Sequence, residues 1–484
     1  MLRLKFIRRF LSFTYGSLEK DPFAYSLESK KLCEIVSGVG SLDDMEASLD
    51  KCSATVTTIT PSLVTQVLSS VSETETPSRR LLRFFSWARQ KTCNLGEWDD
   101  AFNHTIRVLA QKRDLIAVNI LVSDLQKEHR QMETETFCCL AEILVKLGQE
   151  DDAVGLFKNL QKFNCPQDFI SLSAVVHALC SKGHARKAQG ILWHHRHKIS
   201  LPVEPSLSRV LLQGWCIHGN VKEARTTLED MKSLGICPGL SSYNAFLRCL
   251  CTRNVNYNPS ALVSDANVVL SEMSSSGVPP TPVSFNILLS CLGKVRRVKE
   301  ACRVLSSMQE MGCTPDWMSY YLVTRVLFLT GRFGKGNMIV DQMIERGVTP
   351  EARFYHGLIA LLCGIDKVGH ALDMLEKMKT RNHLNLEARN HLYGQVYDLL
   401  IPKICKAGNF EKGKQLWNEA TERGIPIQCS SDLLDPTKTE VFKPIKKEHS
   451  SVGDCKRLVK IENKYISKMK SKSMKKKRKK ASPI

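Results

Sequence analysis

A pattern that returns about every 35 residues restricts the fold of this chain more than any other feature. Ser242-Tyr243-Asn244-Ala245-Phe246-Leu247 aligns with Ser284-Phe285-Asn286-Ile287-Leu288-Leu289, and weaker copies stand at Ser319-Tyr320-Tyr321-Leu322-Val323 and Phe354-Tyr355-His356-Gly357-Leu358-Ile359. A short step containing Gly follows each, then an amphipathic run ending in Met, then Gly and Pro. Met308 to Pro315 with Gly312, and Met343 to Pro350 with Gly347, show the ending. In the unit 282–316, Phe285, Leu288, Leu289 and Leu292 fall at i, i+3, i+4, i+7, one face of a first helix. Val298, Ala301, Cys302, Leu305 and Met308 mark one face of a second. Gly293 is expected to close the first helix with positive φ, and Gly312 with Pro315 to stop the second. Ala301 is small where the two helices should cross, and Ala153, Ala188, Ala224 and Ala371 hold the same place. A hairpin of this size cannot bury both stripes alone and must stack on its neighbours. The expected fold is all-α, a right-handed α-solenoid of helix-turn-helix repeats.

Extending the register gives nine units: 99–133, 134–168, 169–204, 205–239, 240–281, 282–316, 317–351, 352–386 and 387–428. Two are about seven residues over the period. In 240–281 the surplus, Asn254 to Ser260, is polar and reads as a loop between the helices. In 387–428 it falls in the first helix or its turn, near Tyr397 to Pro402. Residues 31–98 read as an N-terminal helical region. Its segment 61–98 is a degenerate leading repeat, with Leu81, Leu82, Phe84, Phe85 and Trp87 making a strongly apolar helix.

Charge sets the ends apart. Of the formal net charge of +20, the stretch Lys443 to Lys480 carries +13, from sixteen Lys and Arg against three acids. Such a like-charge block, densest at Lys475 to Lys480, is expected to be mostly disordered over 429–484 and to favour a polyanion. It also resembles a nuclear localisation signal. The start is basic and apolar, with Arg3, Lys5, Arg8 and Arg9 and no acid before Glu19. That composition predicts a transit peptide over about 1–30, mitochondrial rather than plastid because Arg is frequent and Ser scarce. No apolar run reaches the length of a membrane span. Most of the 18 cysteines stand where a helix needs a small apolar residue, as at Cys180, Cys216, Cys249, Cys291 and Cys363. None forms a C-x-x-C pair, so buried free thiols are expected rather than disulfides or zinc.

Units that read Ser-Phe-Asn-Ile-Leu-Leu, then Val-Lys-Glu-Ala, then Met-x-x-Met-Gly-Cys-Thr-Pro-Asp resemble pentatricopeptide repeats. The chain as a whole resembles a plant organellar pentatricopeptide-repeat protein of the P class over 99–428. Arg83-Phe84-Phe85-Ser86-Trp87-Ala88 is similar to the segment that often precedes such arrays. The resemblance implies single-stranded RNA as partner, with each repeat presenting two or three side chains to one splayed base. In that family the reading pair is the residue after the aromatic of the Tyr-Asn step and the last residue of the repeat. Asn286 with Asp316 matches a favourable pair, and the family pattern implies uracil there. Asn244 with Thr281 and Asn103 with Glu133 are half matches. Ser173 with Glu204 and Cys138 with Asp168 are weaker. Arg209 with Gly239, Tyr321 with Glu351, His356 with Leu386 and His391 with Gln428 offer no familiar readout. The bland alternative for an Asn at a helix start is capping or local backbone bonding.

No catalytic chemistry emerges. His194-His195-Arg196-His197 resembles a metal site only in composition, since helix neighbours point in different directions, and it reads as a solvated helix end. Gly331-Arg332-Phe333-Gly334-Lys335-Gly336 lacks P-loop spacing and is read as the inter-helix turn. There is neither the H-x-E with C-x-x-C of a zinc deaminase nor a compact carboxylate cluster. The expected function is sequence-selective RNA binding in organellar RNA metabolism, without cofactor or catalysis and with other protein factors as possible recruits. The alternative from another class is a solenoid scaffold for peptides or proteins.

Overall fold

A computed structural model of the chain describes residues 27–53, 59–92, 98–195, 205–381 and 387–436. All regular elements among them are helices. The transit-peptide segment up to residue 26 and the basic stretch Lys443 to Lys480 lie outside the described residues. Two compact units are present, 1–326 and 327–484, and each is built of helical hairpins, the architecture of an α-solenoid.

First helices begin at Asp99, Thr134, Phe169, Pro205, Leu240, Pro282, Trp317, Ala352 and Glu387. Consecutive starts are 35 or 36 residues apart, except for 42 between Leu240 and Pro282. Within 1–326, the first helices from Asp99–Gln111 to Pro282–Lys294 pack side by side as one continuous layer. Second helices such as Val221–Ser233 and Leu262–Ser275 pack on their own first helix and on that of the next repeat. The stripes read from the sequence are the core. Phe285, Leu288, Leu289, Leu292, Val298, Ala301, Leu305 and Met308 are all buried. Cys302 is the exception on that stripe and is only half-buried.

The helix crossing explains the small residues. Ala153, Ala188, Ala224, Ala301 and Ala371 are all fully buried. In the repeat that starts at Trp317 even Ala is too large. A Cβ on Gly336 would lie 2.3 Å from the ring of Phe328, itself buried. Gly413 faces Cys405 Sγ in the same way, at 2.6 Å. A bulkier side chain on one helix is matched by the loss of a methyl on the other, as close packing demands.

Three details differ from the sequence expectation. Gly293 stays inside the helix Pro282–Lys294, and Arg296 takes the left-handed conformation with φ 57°. The turn closes there because Arg296 N–H reaches Gly293 O at 3.3 Å and Arg297 N–H reaches Leu292 O at 3.1 Å. Gly312 does act as expected, with φ 72° and Cys313 N–H donating to Met308 O at 2.8 Å, a Schellman closure. The surplus in 240–281 is helix rather than loop. The first helix runs 18 residues, Leu240–Tyr257. Polar Asn254 is buried within it because its amide donates to Asp265 Oδ2 at 2.9 Å. In the last repeat the surplus is helical too, Glu387–Lys406, with Pro402 inside. Finally, His195 is buried with its ring 5.1 Å from that of Phe157, so it belongs to the core and not to a solvated end.

Among the described residues, the N-terminal region holds the helices Leu27–Ser37, Leu42–Ser53, Pro61–Ser72 and Ser78–Gln90. Arg80 ties the last of these to the end of the first. Its guanidinium, 7% exposed as a residue, donates at 2.9 Å to each of the carbonyls of Ile35, Val36 and Gly40. A cation on the open carbonyls at a helix C-terminus is favourable twice over, through hydrogen bonds and through the helix dipole. Among the described residues no helix is long and apolar enough to cross a membrane.

The crossing gives the first prediction. Gly336→Ala should gain up to about 1 kcal/mol of helix propensity yet lose about 1–3 kcal/mol to overpacking. Thermal melting should therefore show a net loss, which Phe328→Leu in the same chain should relieve. A Gly336→Ala variant that melts above the parent would disprove the packing account.

Candidate functional site

In the repeat 282–316 the expected reading pair is brought together. Asn286 is on the first helix of its repeat, and Asp316 is the residue just before the next, Trp317–Leu329. Asn286 Nδ2 donates to Asp316 Oδ1 at 3.1 Å and to Oδ2 at 3.4 Å. Both residues are half-buried. Between them stands a group that the sequence reading used only to align the repeats, Ser319. Its Oγ lies 2.7 Å from Asn286 Oδ1 and 2.8 Å from Asp316 Oδ1, and its single proton can be donated to either. Its backbone N–H also donates to Asp316 Oδ1 at 2.8 Å, so Asp316 caps the helix that follows.

The bland and the sharp readings therefore meet in one carboxylate. Asp316 Oδ1 is committed to the cap, while Oδ2 carries only the longer Asn286 contact. Asn286 has one amide proton directed to Asp316, and its oxygen accepts from Ser319. One amide proton of Asn286 and most of the acceptor capacity of Oδ2 have no partner among the described residues. A donor and an acceptor held side by side suit the edge of a base.

Asn244 and Thr281 repeat the design in part. Ser284 Oγ donates to Asn244 Oδ1 at 2.7 Å and accepts from Thr281 N–H at 3.3 Å. Ser284 and Ser319 are each third in their helix, and Thr136, Ser171 and Ser242 share that position; all five are buried. A buried hydroxyl without partners would be costly, so its recurrence at one position is the signal that marks this junction. Where the next helix has Leu207 or Phe354 in third place, the pairs before it are Ser173 with Glu204, a weaker match, and Tyr321 with Glu351, which offers no familiar readout.

Other expected positions look different. Asn103 is fully buried. Its amide donates to Asp99 O at 2.8 Å and Gln131 O at 2.9 Å, and its oxygen accepts from Glu133 N–H at 2.9 Å. Both amide protons thus serve the backbone, the local-bonding role of an Asn, and the side chain offers no surface to a ligand. Glu133 pairs with Arg107, which also donates to Thr136 Oγ1 at 3.0 Å. Ser173 is half-buried, and its expected partner Glu204 lies outside the described residues, as does Leu386. Cys138 is buried, and its thiol is pushed up to about 12, chiefly by burial. Asp168 caps its helix through Ser171 N–H at 2.9 Å.

Beside these polar groups, the second residue of two first helices is apolar and open to solvent, Ile170 at 51% and Val283 at 54%. Exposed branched side chains next to hydrogen-bonding groups provide flat apolar contact for a base. Among the described residues no group of three or more His, Cys, Asp or Glu is placed to hold a metal ion.

Stacked helical hairpins of this period, with buried polar groups at several repeat boundaries, define a helical-repeat array. Family models match three parts of it: the PPR repeat family over 280–329, the pentatricopeptide repeat domain over 209–253, and the PPR repeat over 135–165. A pentatricopeptide repeat-containing protein of Arabidopsis thaliana, named as mitochondrial, is 58% identical over 427 residues, covering 88% of this chain and 85% of its own. The chain belongs to the pentatricopeptide-repeat family. It is also 27% identical to the Arabidopsis thaliana small ribosomal subunit protein mL104, over 84% of this chain and 78% of that one. The crystal structure of the maize pentatricopeptide repeat protein PPR10 has the same fold, with a TM-score of 0.52 at 19% identity. It covers 83% of this chain, which spans 59% of the maize chain.

The cap yields a prediction. Asp316→Ala should cost about 1 kcal/mol of stability through the lost cap, whereas Asp316→Asn, an equally good cap, should cost little. Chemical denaturation of the two variants measures the difference, and equal stability would contradict the capping role.

Proposed function

We propose that this chain binds a segment of single-stranded RNA in mitochondria, with selectivity for sequence and without chemistry of its own. The observation that carries the reading is the Asn286–Asp316 pair, set by Ser319 with a donor and an acceptor to spare. Family membership supports it, because the repeat architecture suits one base per repeat. Asn244 and Thr281 would form a second reading position, and Ile170 and Val283 would pack against bases. Glu133 and Ser173 would act through contacts other than a full pair. The chain would act passively, by covering RNA or remodelling it, and other protein factors would supply any catalysis. The mitochondrial assignment is supported by the name of the Arabidopsis relative and by the acid-poor, Arg-rich start. We place it in the P class, with a transit peptide over about 1–30, repeats over 99–428 and a basic tail over 429–484.

The likeness to a ribosomal subunit protein favours a second reading, a scaffold that docks among proteins. Binding of the chain shortened to residue 436 to single-stranded RNA, with a steep salt dependence, separates the two.

Replacing Asn286 by Ala while keeping the cap as Asp316→Asn should alter preference at one nucleotide, by about 1–3 kcal/mol. Lys-to-Ala changes in 475–480 should weaken all RNAs alike and flatten the salt slope. Selection from a random RNA pool, followed by titration at several salt concentrations, reads both. An unchanged consensus for the first variant would remove Asn286 from recognition. For compartment, residues 1–60 fused to a fluorescent protein should direct it to mitochondria, and a purely nuclear or cytosolic signal would overturn the assignment.

A further inference from the structure

We infer that the cleft beside the lengthened helix Leu240–Tyr257 holds one nucleotide of the bound strand outside the one-base-per-repeat register. Arg248, Arg253 and Lys222 would take its phosphate, and Tyr257 would take its base. The inference rests on the RNA reading above and adds a site to it.

Helix length creates the cleft. The first helix of the preceding repeat, Pro205–His218, has 14 residues, whereas Leu240–Tyr257 has 18 and continues past it. The two pack side by side, so the longer one overhangs the end of the shorter and forms one wall of a cleft there. That wall carries two adjacent i, i+4 stripes, Ala245, Cys249, Arg253, Tyr257 and Arg248, Thr252, Asn256. Gln213, Ile217 and His218 line the other side of a cavity of about 520 Å³. A second cavity of about 330 Å³ adjoins it, sharing His218, Gly219 and Arg253 and adding Asn220 and Lys222.

Charge selects the ligand. No carboxylate lines either cavity. On the neighbouring second helix, Arg225 and Lys232 are instead neutralised by Glu272, at 2.7 and 2.5 Å. Arg248, Arg253 and Lys222 have no ion pair among the described residues and are exposed. Three unpaired cations along one cleft attract a phosphodiester. Tyr257 is 83% exposed as a residue, and a base can stack on its ring whatever the base's identity. Gln213, Thr252 and Asn256 add hydrogen-bonding groups.

The wall is also held in place. Asn254 bonds to Asp265 at 2.9 Å on the inner side, and Arg297 of the next repeat donates to Pro259 O at 2.6 Å just beyond it. A helix rises about 1.5 Å per residue, so Tyr257 is roughly 20 Å along the helix from Asn244. A nucleotide there is too far away to be the one read by Asn244 and Thr281.

The test uses the full chain and a randomised single-stranded RNA pool enriched on the unaltered protein. Arg253→Gln with Tyr257→Ala, both at exposed positions, should weaken binding of the enriched RNA about tenfold, the scale of one lost stacking contact. The salt slope should fall by about 0.7 for the cation removed. The consensus read through Asn286 should be unchanged. If the parent enriches RNA and the variant binds it equally well with the same salt slope, the cleft takes no nucleotide, and a protein side chain is left as its occupant. If the parent enriches no RNA, the RNA reading fails and this inference with it.

Discussion

Each repeat has two apolar stripes and only one of them can be covered inside its own hairpin. The remaining apolar surface must be buried against the next repeat, and most other features follow from that need. First helices such as Thr134–Lys146 and Phe169–Ser181 pack on each other because those faces have no other cover. Close approach then requires a small residue at each crossing, Ala at most of them and Gly where Phe328 or Cys405 intrudes. Ion pairs such as Glu272 with Arg225 and Lys232 bridge neighbouring repeats over the same contacts. Both cations also lie over aromatic rings of the second repeat, Phe246 and Tyr243.

Bringing the first helices side by side also decides where polar groups meet. The end of one repeat is the start of the next helix, and that start has unsatisfied backbone donors. Asp316 satisfies one and, by the same position, stands beside Asn286. In the proposed reading, recognition and capping would use the same carboxylate, because the geometry at this junction places Asp316 beside both the helix start and Asn286.

The fold was legible in the sequence because its cause is periodic. Stripes at i, i+3, i+4, i+7 and Ala at the crossing are local patterns repeated many times, so single deviations do not hide them. The turn at Gly293 was misplaced by three residues, since Arg296 adopts the left-handed conformation that Gly would accept more easily. The segment Asn254 to Ser260 reads as a loop because it is polar, yet the helix from Leu240 continues to Tyr257; Asp265, the partner of Asn254, is a feature of the folded chain, not of the local sequence. The pairing of Asn286 with Asp316 followed from register, but the burial of Asn103 did not. Both are Asn at the same place in a repeat, and only the surroundings, Gln131 O and Glu133 N–H in one case and a capping Asp in the other, distinguish them. The hydroxyl of Ser319 was visible as a recurring letter, yet its role appears only once two repeats are packed.

That hydroxyl has a consequence for how such a chain is altered by duplication or by module exchange. Ser319 belongs to the repeat after the one whose pair it fixes. A segment excised between 316 and 317 therefore leaves its orienting group behind and acquires whatever stands third in its new neighbour. Placed before a helix that begins like Trp317–Leu329, the pair keeps its geometry; placed before one with Leu207 or Phe354 in that position, it does not. If the pair reads a base as proposed, the unit of recognition is the seam between repeats, and a breakpoint after Ser319 would transfer it whole where one at the period boundary would divide it.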